Sequence, residues 1–326
     1  VKVHRTFRVL REERPGPQWQ GHFRSCWQDY ERWFLLEGER ARPTYRECRR
    51  MLQWYMPEIV PLYEELVELA GGSDRVARML SLYRPTPYLA GCSQVVWTED
   101  EPVLIRNYDY RPDLWEAVAL ATRWHDRNVI AMSDCLWGVL DGMNDKGLVV
   151  SLTFGGRRIV GDGFGIPIVL RYILETCDTV REAGKVLQRI PVHMAHNILM
   201  VDARGDFASA YLGPDRFPIL RQWPISTNHQ ETWDWPEYLA ATGSYERESF
   251  LASRLADPTE SAETLASRFL APPLYRLDYR RGWGTLYTSV YRPAQLAAEF
   301  RWPGMTCHQS LKDLKSAEFV VAYLVA

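Results

Sequence analysis

The 326-residue chain has no long apolar run. Its most hydrophobic stretches, such as Val320 to Ala326, fall far short of the ~20 residues that cross a bilayer, so no membrane span is expected. Charge bias is missing too: 41 acids against 39 bases leave a formal net charge of −2. Without a basic stripe there is no electrostatic footprint for nucleic acid. The opening, Val1 to Glu13, is basic and polar with no apolar centre, and does not read as a secretory signal. The six cysteines (26, 48, 92, 135, 177 and 307) form no CxxC pair, which argues against a zinc knuckle or a redox pair. Scattered through a chain of this length, they point to a reducing, cytoplasmic setting rather than to a disulfide framework. GxSxG and Walker A are absent. His193-Met-Ala-His196, with Asp202 nearby, lacks the Glu and the i, i+4 spacing of HExxH, so a structural role is expected and no metal. Gly161-Asp-Gly-Phe-Gly165 begins like a dinucleotide loop, but Ile166 stands where GxGxxG needs its third Gly, and the segment reads as a loop before a helix. No cofactor is expected.

What is present is the composition of an ordinary globular protein, 46% hydrophobic and 25% charged. The length permits two domains or one large α/β unit. Residues 18–90 read as helical: Trp27, Tyr30, Trp33 and Phe34 recur at i, i+3, i+4 spacing. Thr44 opens a second helix, a third stops at Gly71-Gly72, and Ser73 caps a fourth. The segment Arg84 to Gly91, with two prolines and a glycine, breaks the pattern. From Cys92 the period becomes that of strands: 93–97, 103–110, 118–124, 128–132, 136–140 and 148–154. Asp141 to Gly147 reads as a turn. Helices are predicted over 166–175, 180–190, 245–255 and 261–270, and further strands over 198–202, 207–211, 218–221, 285–291 and 318–324. This alternation predicts sheets covered on the outside by helices. Residues 1–44 are dense in Arg and Trp, and nothing in the pattern assigns them a role.

The change of character at residues 84–92 puts a thiol at the head of a strand, directly after a glycine. If the hairpin folds between Asp100 and Glu101, Asp109 lies opposite Cys92 and Arg106 sits three residues earlier. Cross-strand partners have Cβ atoms ~4.5–5.5 Å apart, so a nucleophile, an acid and a cation would share one small site. A slip of one residue would turn Asp109 to the other face.

Gly91-Cys92-Ser93 followed by Arg106-Asn-Tyr-Asp-Tyr110 resembles the cysteine N-terminal nucleophile (Ntn) hydrolases. It is specifically similar to the acyl-coenzyme A:6-aminopenicillanate acyltransferase-like family (peptidase family C45), and more distantly to choloylglycine hydrolases and penicillin V acylases. Gly142 to Leu148, Ser226-Thr-Asn-His229, Ser244-Tyr-Glu-Arg247 and Thr285 to Ser289 agree in order and spacing. The resemblance implies an α+β fold, a four-layer αββα sandwich with a helical N-terminal segment. It also implies self-cleavage between Gly91 and Cys92, leaving 1–91 as a helical α-chain packed on a β-chain of residues 92–326, and allows a homo-oligomer of αβ heterodimers. The chemistry is sound in its own terms. A thiolate can attack the carbonyl before it, and glycine leaves that carbonyl unshielded. Hydrolysis of the resulting ester frees an α-amine whose pKa, about 7.7–8.0, suits it to take the thiol proton.

By the same resemblance Asp109 holds the Cys92 amine or thiol, Arg106 lowers the thiol pKa or positions Asp109, and Asn228 serves the oxyanion. A backbone N–H near Phe154 is the second donor, and Arg247 completes the polar ring. Tyr108, Tyr110 and Trp137 suit an apolar or aromatic acyl group. The implied activity is cleavage or transfer of an acyl group from a small-molecule amide or thioester through a Cys92 acyl-enzyme. Each residue also has a plainer reading: a lone buried Cys, a salt-bridged Asp, a turn-capping Asn, an Arg on a solvated helix face. The competing view of the whole is an uncleaved, non-catalytic relative acting as a binding or scaffold protein.

Overall fold

The computed structural model describes residues 2–231 and 234–325. The chain opens with β1 (Lys2–Glu12), then four helices: α1 (Pro17–Phe34), α2 (Tyr45–Tyr55), α3 (Val60–Leu69) and α4 (Asp74–Leu80). Thr44 caps α2 by accepting from the Glu47 N–H, and Ser73 caps α4 through the Val76 N–H. Six strands follow: β2 (Gly91–Trp97), β3 (Val103–Tyr110), β4 (Val118–Thr122), β5 (Val129–Asp134), β6 (Gly138–Asn144) and β7 (Val149–Phe154). Next come α5 (Ile166–Thr176), α6 (Val180–Arg189), β8 (His196–Val201), β9 (Phe207–Leu212), β10 (Ile219–Arg221) and β11 (Ile225–Ser226). Helices α7 (Pro236–Thr242), α8 (Ser244–Leu255) and α9 (Ala262–Arg268) lead to β12 (Leu277–Asp278), β13 (Trp283–Arg292), β14 (Ala297–Trp302), β15 (Met305–Ser310) and β16 (Ala317–Leu324).

The strands make two sheets. One has nine strands in the order β10-β9-β8-β7-β6-β5-β4-β1-β16; the other has seven, β11-β2-β3-β13-β14-β15 with β12 on β13. They pack face to face through β2 and β3 against β7 and β8. Helices α5 and α6 cover the outer face of the nine-stranded sheet, and α8 lies against β2 and β11 on the far side of the other. Leu265, Ala266 and Leu251 from α9 and α8 join Val95, Ile105 and Val290 in that outer core. The result is the expected αββα sandwich. No helix among the described residues is long and apolar enough to cross a membrane, and none of the six cysteines is bonded to another.

Three features differ from the sequence expectations. The N-terminal segment is helical only after residue 16: β1 pairs parallel with β4 and antiparallel with β16, inside the nine-stranded sheet. Its alternation is blurred by arginines, which is why a strand was not anticipated. Second, Asp141 to Asn144 belong to β6 rather than to a turn. Gly142 is there because a Cβ would lie 2.5 Å from that of Ala131 on the neighbouring strand. Third, the β2–β3 hairpin folds about Asp100 itself. Trp97 pairs with Val103, Cys92 with Tyr108 and Gly91 with Asp109, one residue away from the expected register. Five residues separate the strands, so the centre of symmetry is a residue and not a bond. The Asp100 carboxylate fixes it by accepting from the Trp97 indole at 2.5 Å and the Glu101 N–H at 3.0 Å. Helix α7 and the β14–β15 hairpin were not anticipated.

Phe7 of β1 ties the two sheets together. It is fully buried, with ring centroids 5.5 Å from Phe300 and 5.0 Å from Trp302, both on β14 of the other sheet. Phe7→Ala is expected to cost about 3–5 kcal/mol of unfolding free energy, measured by guanidinium denaturation. A loss under about 1 kcal/mol would mean that the N-terminal strand is not part of the core.

Candidate active site

The corrected register sorts the hairpin by face, because side chains alternate along a strand. Cys92, Arg106 and Tyr108 point between the sheets, whereas Gly91, Ser93, Asn107 and Asp109 point toward the helical layer of α7–α9. The Cys92 side chain is fully buried. An Arg106 N–H lies 3.4 Å from its sulfur. Arg106 also donates to the Leu152 carbonyl at 3.1 Å and the Tyr287 hydroxyl at 2.6 Å, and forms an ion pair with Asp141 at 2.5 Å. Asp141 takes further hydrogen bonds from Tyr287 and, at 2.7 Å, from Tyr291. Burial pushes the Cys92 thiol up to about 11, and the Arg106 charge pulls the other way. The sulfur is therefore a neutral thiol at pH 7.

On the other face the backbone of Cys92 is held by polar side chains. Its N–H donates to Asn228 Oδ1 at 2.9 Å. Arg247 donates from one nitrogen to the Cys92 carbonyl at 2.5 Å and to Ser93 Oγ at 2.6 Å, and from the other to Asn228 Oδ1 at 2.7 Å. Its nearest contact with Asp109 is 3.5 Å. Arg247 is 1% exposed, so it is no solvated helix residue. Burial draws its pKa below the usual guanidinium value, opposed by Asp109. Asp109 accepts from Thr285 Oγ1 at 2.7 Å, and its carboxyl is raised by burial against the pull of Arg247. Gly91 matters sterically here: a Cβ on it would stand 3.1 Å from Asp109 Cβ. Its bare backbone lets the Asp109 side chain pack against Gly91.

Asn228 Nδ2 faces two carbonyls, Ala90 at 3.4 Å and Phe154 at 3.3 Å. Phe154 thus meets Asn228 through its C=O. The Tyr238 hydroxyl holds the same Ala90 carbonyl at 2.7 Å. Behind Asn228, Ser244 Oγ accepts from the Asn228 N–H at 2.8 Å and contacts His229 Nδ1 at 2.8 Å, while His229 Nε2 meets Glu248 at 2.9 Å.

The structure thus brings Cys92, Arg106, Asp109, Asn228 and Arg247 together, but not on one strand face: Arg106 stands at the Cys92 sulfur, Asn228 and Arg247 at its backbone, and Asp109 against Gly91. Trp137 does not join them. It is fully buried, donates its indole N–H to the Leu80 carbonyl at 2.9 Å and packs on Tyr63, because the strand start at Gly138 turns it to the outer helical core. Asp141, Tyr287, Thr285, Ser244 and Tyr238 were missed as contributors. Asp141 directly precedes the Gly142 segment, and Thr285 and Ser244 begin segments already singled out, so their motifs held the signal. Tyr238 offered none.

A cavity of about 310 Å³ adjoins the hairpin, lined by Tyr108, Tyr110, Tyr30, Trp33, Tyr88 and Asp134 among others. Next to Asp134, Cys135 and Leu136 take positive φ of 56° and 76°, a conformation costly for residues with a Cβ. Their N–H groups donate to the Tyr30 hydroxyl at 2.9 Å and Glu116 at 2.8 Å, which holds the strained turn. Elsewhere, His193 and His196 spend their rings on the carbonyls of Gly161 and Met194. Among the described residues no three His, Cys, Asp or Glu side chains are grouped to hold a metal.

The family model described as acyl-coenzyme A:6-aminopenicillanic acid acyl-transferase matches residues 96–306. No curated protein matches the sequence. Among solved structures, penicillin V acylase from Agrobacterium tumefaciens is similar at 15% identity and TM-score 0.47, over 70% of this chain and 90% of that one. A variant of conjugated bile acid hydrolase from Clostridium perfringens is similar at 12% identity and TM-score 0.42, over 70% and 96%. The Caenorhabditis elegans ortholog of N-acylethanolamine-hydrolyzing acid amidase is similar at 15% identity and TM-score 0.45, over 63% and 93%.

Two measurements check this electrostatic reading. Asp141→Asn leaves Arg106 buried without a counter-charge and is expected to cost about 3–5 kcal/mol of stability, read by chemical denaturation; an unchanged midpoint would refute the pair's role. Burial, then the charge of Glu116, raises the Asp134 carboxyl to about 7. The folded state therefore holds that proton more tightly than the unfolded chain does. Its stabilising contribution is present below the ordinary carboxylate range and is lost as pH rises through about 7. Asp134→Asn is expected to melt higher than wild type at pH 8 and to lose that advantage at pH 5. An equal difference at both values would place the carboxylate's pKa in its normal range.

Proposed function

The chain belongs to the acyl-coenzyme A:6-aminopenicillanic acid acyl-transferase family, and from that premise we propose that it is a self-processing amidohydrolase or acyltransferase with Cys92 as its nucleophile. The observation that carries the reading is the double hold on one residue: a cation 3.4 Å from the Cys92 sulfur, and an amide and a guanidinium on its backbone. A structural cysteine needs neither.

In the first step the Cys92 sulfur attacks the Gly91 carbonyl carbon. The C–N bond breaks, the thiol proton passes to the Cys92 nitrogen, and Gly91 becomes a thioester. Water hydrolyses it, giving the Gly91 carboxylate, the free thiol and a new α-amine. That amine, with a pKa of about 7.7–8.0, replaces a neutral peptide nitrogen beside a thiol that burial had silenced. It takes the thiol proton, and Arg106 stabilises the thiolate. Asp109, held by Thr285 and Arg247, faces the new ammonium.

Cleavage also frees Asn228. In the unbroken chain its Nδ2 faces the Ala90 carbonyl, so Ala90 and Gly91 sit where a substrate acyl group would. Once they withdraw, Nδ2 serves the oxyanion formed when Cys92 attacks an amide or thioester carbonyl. Losing one such donor costs about 2.7–4 kcal/mol of barrier. The backbone N–H at Phe154 is the proposed second donor. The α-ammonium gives its proton to the leaving group, and water or an acceptor amine resolves the acyl-enzyme.

Purified wild-type protein is expected to show two masses, residues 1–91 and the remaining 326 − 91 = 235 residues. Cys92→Ala is expected to stay at one mass. The fragments are expected to co-elute without denaturant, since β1 lies between β4 and β16. A single full-length species, inert to acylating amide and thioester panels, would support the scaffold reading instead.

A further inference from the structure

The cavity beside the hairpin has a chemical character that the Cys92 reaction does not itself require. Six aromatic side chains stand in its lining beside the acids Asp29, Asp113, Glu116 and Asp134: Trp33 meets Tyr30 and Tyr88 edge to face, at centroid distances of 6.0 and 6.1 Å, and Tyr108, Tyr110 and Trp115 join them. Into this space the end of β5, next to the strained turn, presents Asp134. Its carboxylate accepts from the Tyr88 hydroxyl at 3.0 Å and lies 3.5 Å from that of Tyr30. Among the described residues no Lys, Arg or His forms an ion pair with it. Glu116, the other acid at this turn, already has its cation in His22 at 2.8 Å. Arg5, which also lines the cavity, spends its Nε on the Pro112 carbonyl.

A carboxylate in such a place is stabilised by a cation, and faces of aromatic rings attract the same charge through their quadrupoles. Among the described residues no three His, Cys, Asp or Glu side chains are grouped to hold a metal ion, which favours an organic cation. A purely apolar occupant would leave the carboxyl desolvated and unmatched, and an anion would face the Asp134 carboxylate. We propose that this cavity binds an organic ammonium group, with Asp134 as its counter-ion and the tyrosine and tryptophan rings as its faces.

Position links this site to the chemistry. Tyr108 stands opposite Cys92 in the β2–β3 ladder and lines the cavity, so a bound ammonium lies one side chain from the sulfur. The substrate class is thus an amide or thioester bearing a protonated or quaternary amine. That last step rests on the nucleophile reading above; ammonium binding does not.

The test separates the two by measuring binding in the unbroken Cys92→Ala protein. Choline is titrated against its neutral isostere 3,3-dimethylbutanol, followed by calorimetry and by quenching of tryptophan fluorescence. Choline is expected to saturate one site and to bind at least about tenfold more tightly than the isostere. Asp134→Asn is expected to erase that preference, and Trp33→Leu to weaken choline at least about fivefold while keeping the fold by circular dichroism. Equal binding of the two probes, no saturable choline binding, or a preference that survives in Asp134→Asn would overturn the proposal. The probe comparison needs no variant at the cavity, so it stands even if Asp134→Asn fails to fold. Choline binding without fragments or turnover in wild type would sink the nucleophile reading alone. Turnover of amides with indifference to choline would sink this one alone.

Discussion

The guanidinium of Arg247 is where the separate parts of the site meet. It reaches from α8 to the Cys92 carbonyl, to Ser93, to Asn228 and toward Asp109, and so binds a helix, two strands and a loop to one residue's backbone. A buried cation of this kind is tolerated only when nearly every donor finds an acceptor. The need to satisfy it fixes where Asn228 and Ser93 stand. Removing the charge would therefore loosen the placement of the Gly91-Cys92 peptide as well as its electrostatics.

Arg106 plays the corresponding part on the opposite face. It and Asp141 are both fully buried between the sheets, ringed by the hydroxyls of Tyr287 and Tyr291. An apolar pair would fill that space at lower desolvation cost. The ionic arrangement makes sense if a cation is wanted beside the sulfur. It also locks the two sheets in one relative position, because β3 supplies the arginine and β6 the carboxylate.

The N-terminal segment is more than a covering of helices. Strand β1 occupies an interior place in the nine-stranded sheet, with pairing on both sides, and Phe7 reaches the other sheet. The segment before Cys92 is tied as well: Arg84 N–H donates to the Gly163 carbonyl, and Gly165 N–H to that of Leu82. A break after Gly91 would relieve only the short stretch between these ties and β2. In that stretch Asp134 holds Tyr88 at the cavity wall, and Ala90, next to Gly91, is the residue that faces Asn228. Local release with global retention is what such a topology permits.

The sequence alone settled the elements whose signals are local. Helix caps at Thr44 and Ser73, the strand period after Cys92, the β2–β3 hairpin and the grouping of Cys92, Arg106, Asp109, Asn228 and Arg247 were all legible in short motifs. Hairpin register was not, since a fold at a residue and a fold at a bond differ by a single carboxylate's hydrogen bonds. Nor was the place of β1, whose partners lie more than a hundred residues away and whose arginines hide its period. Trp137 lies away from the site where it was expected, because burial depends on which layer lands on which face. Contacts between distant residues carry no local pattern, so the partnership of Arg106 with Asp141 and the cavity around Asp134 arise only when the sheets and the N-terminal helices close on one another.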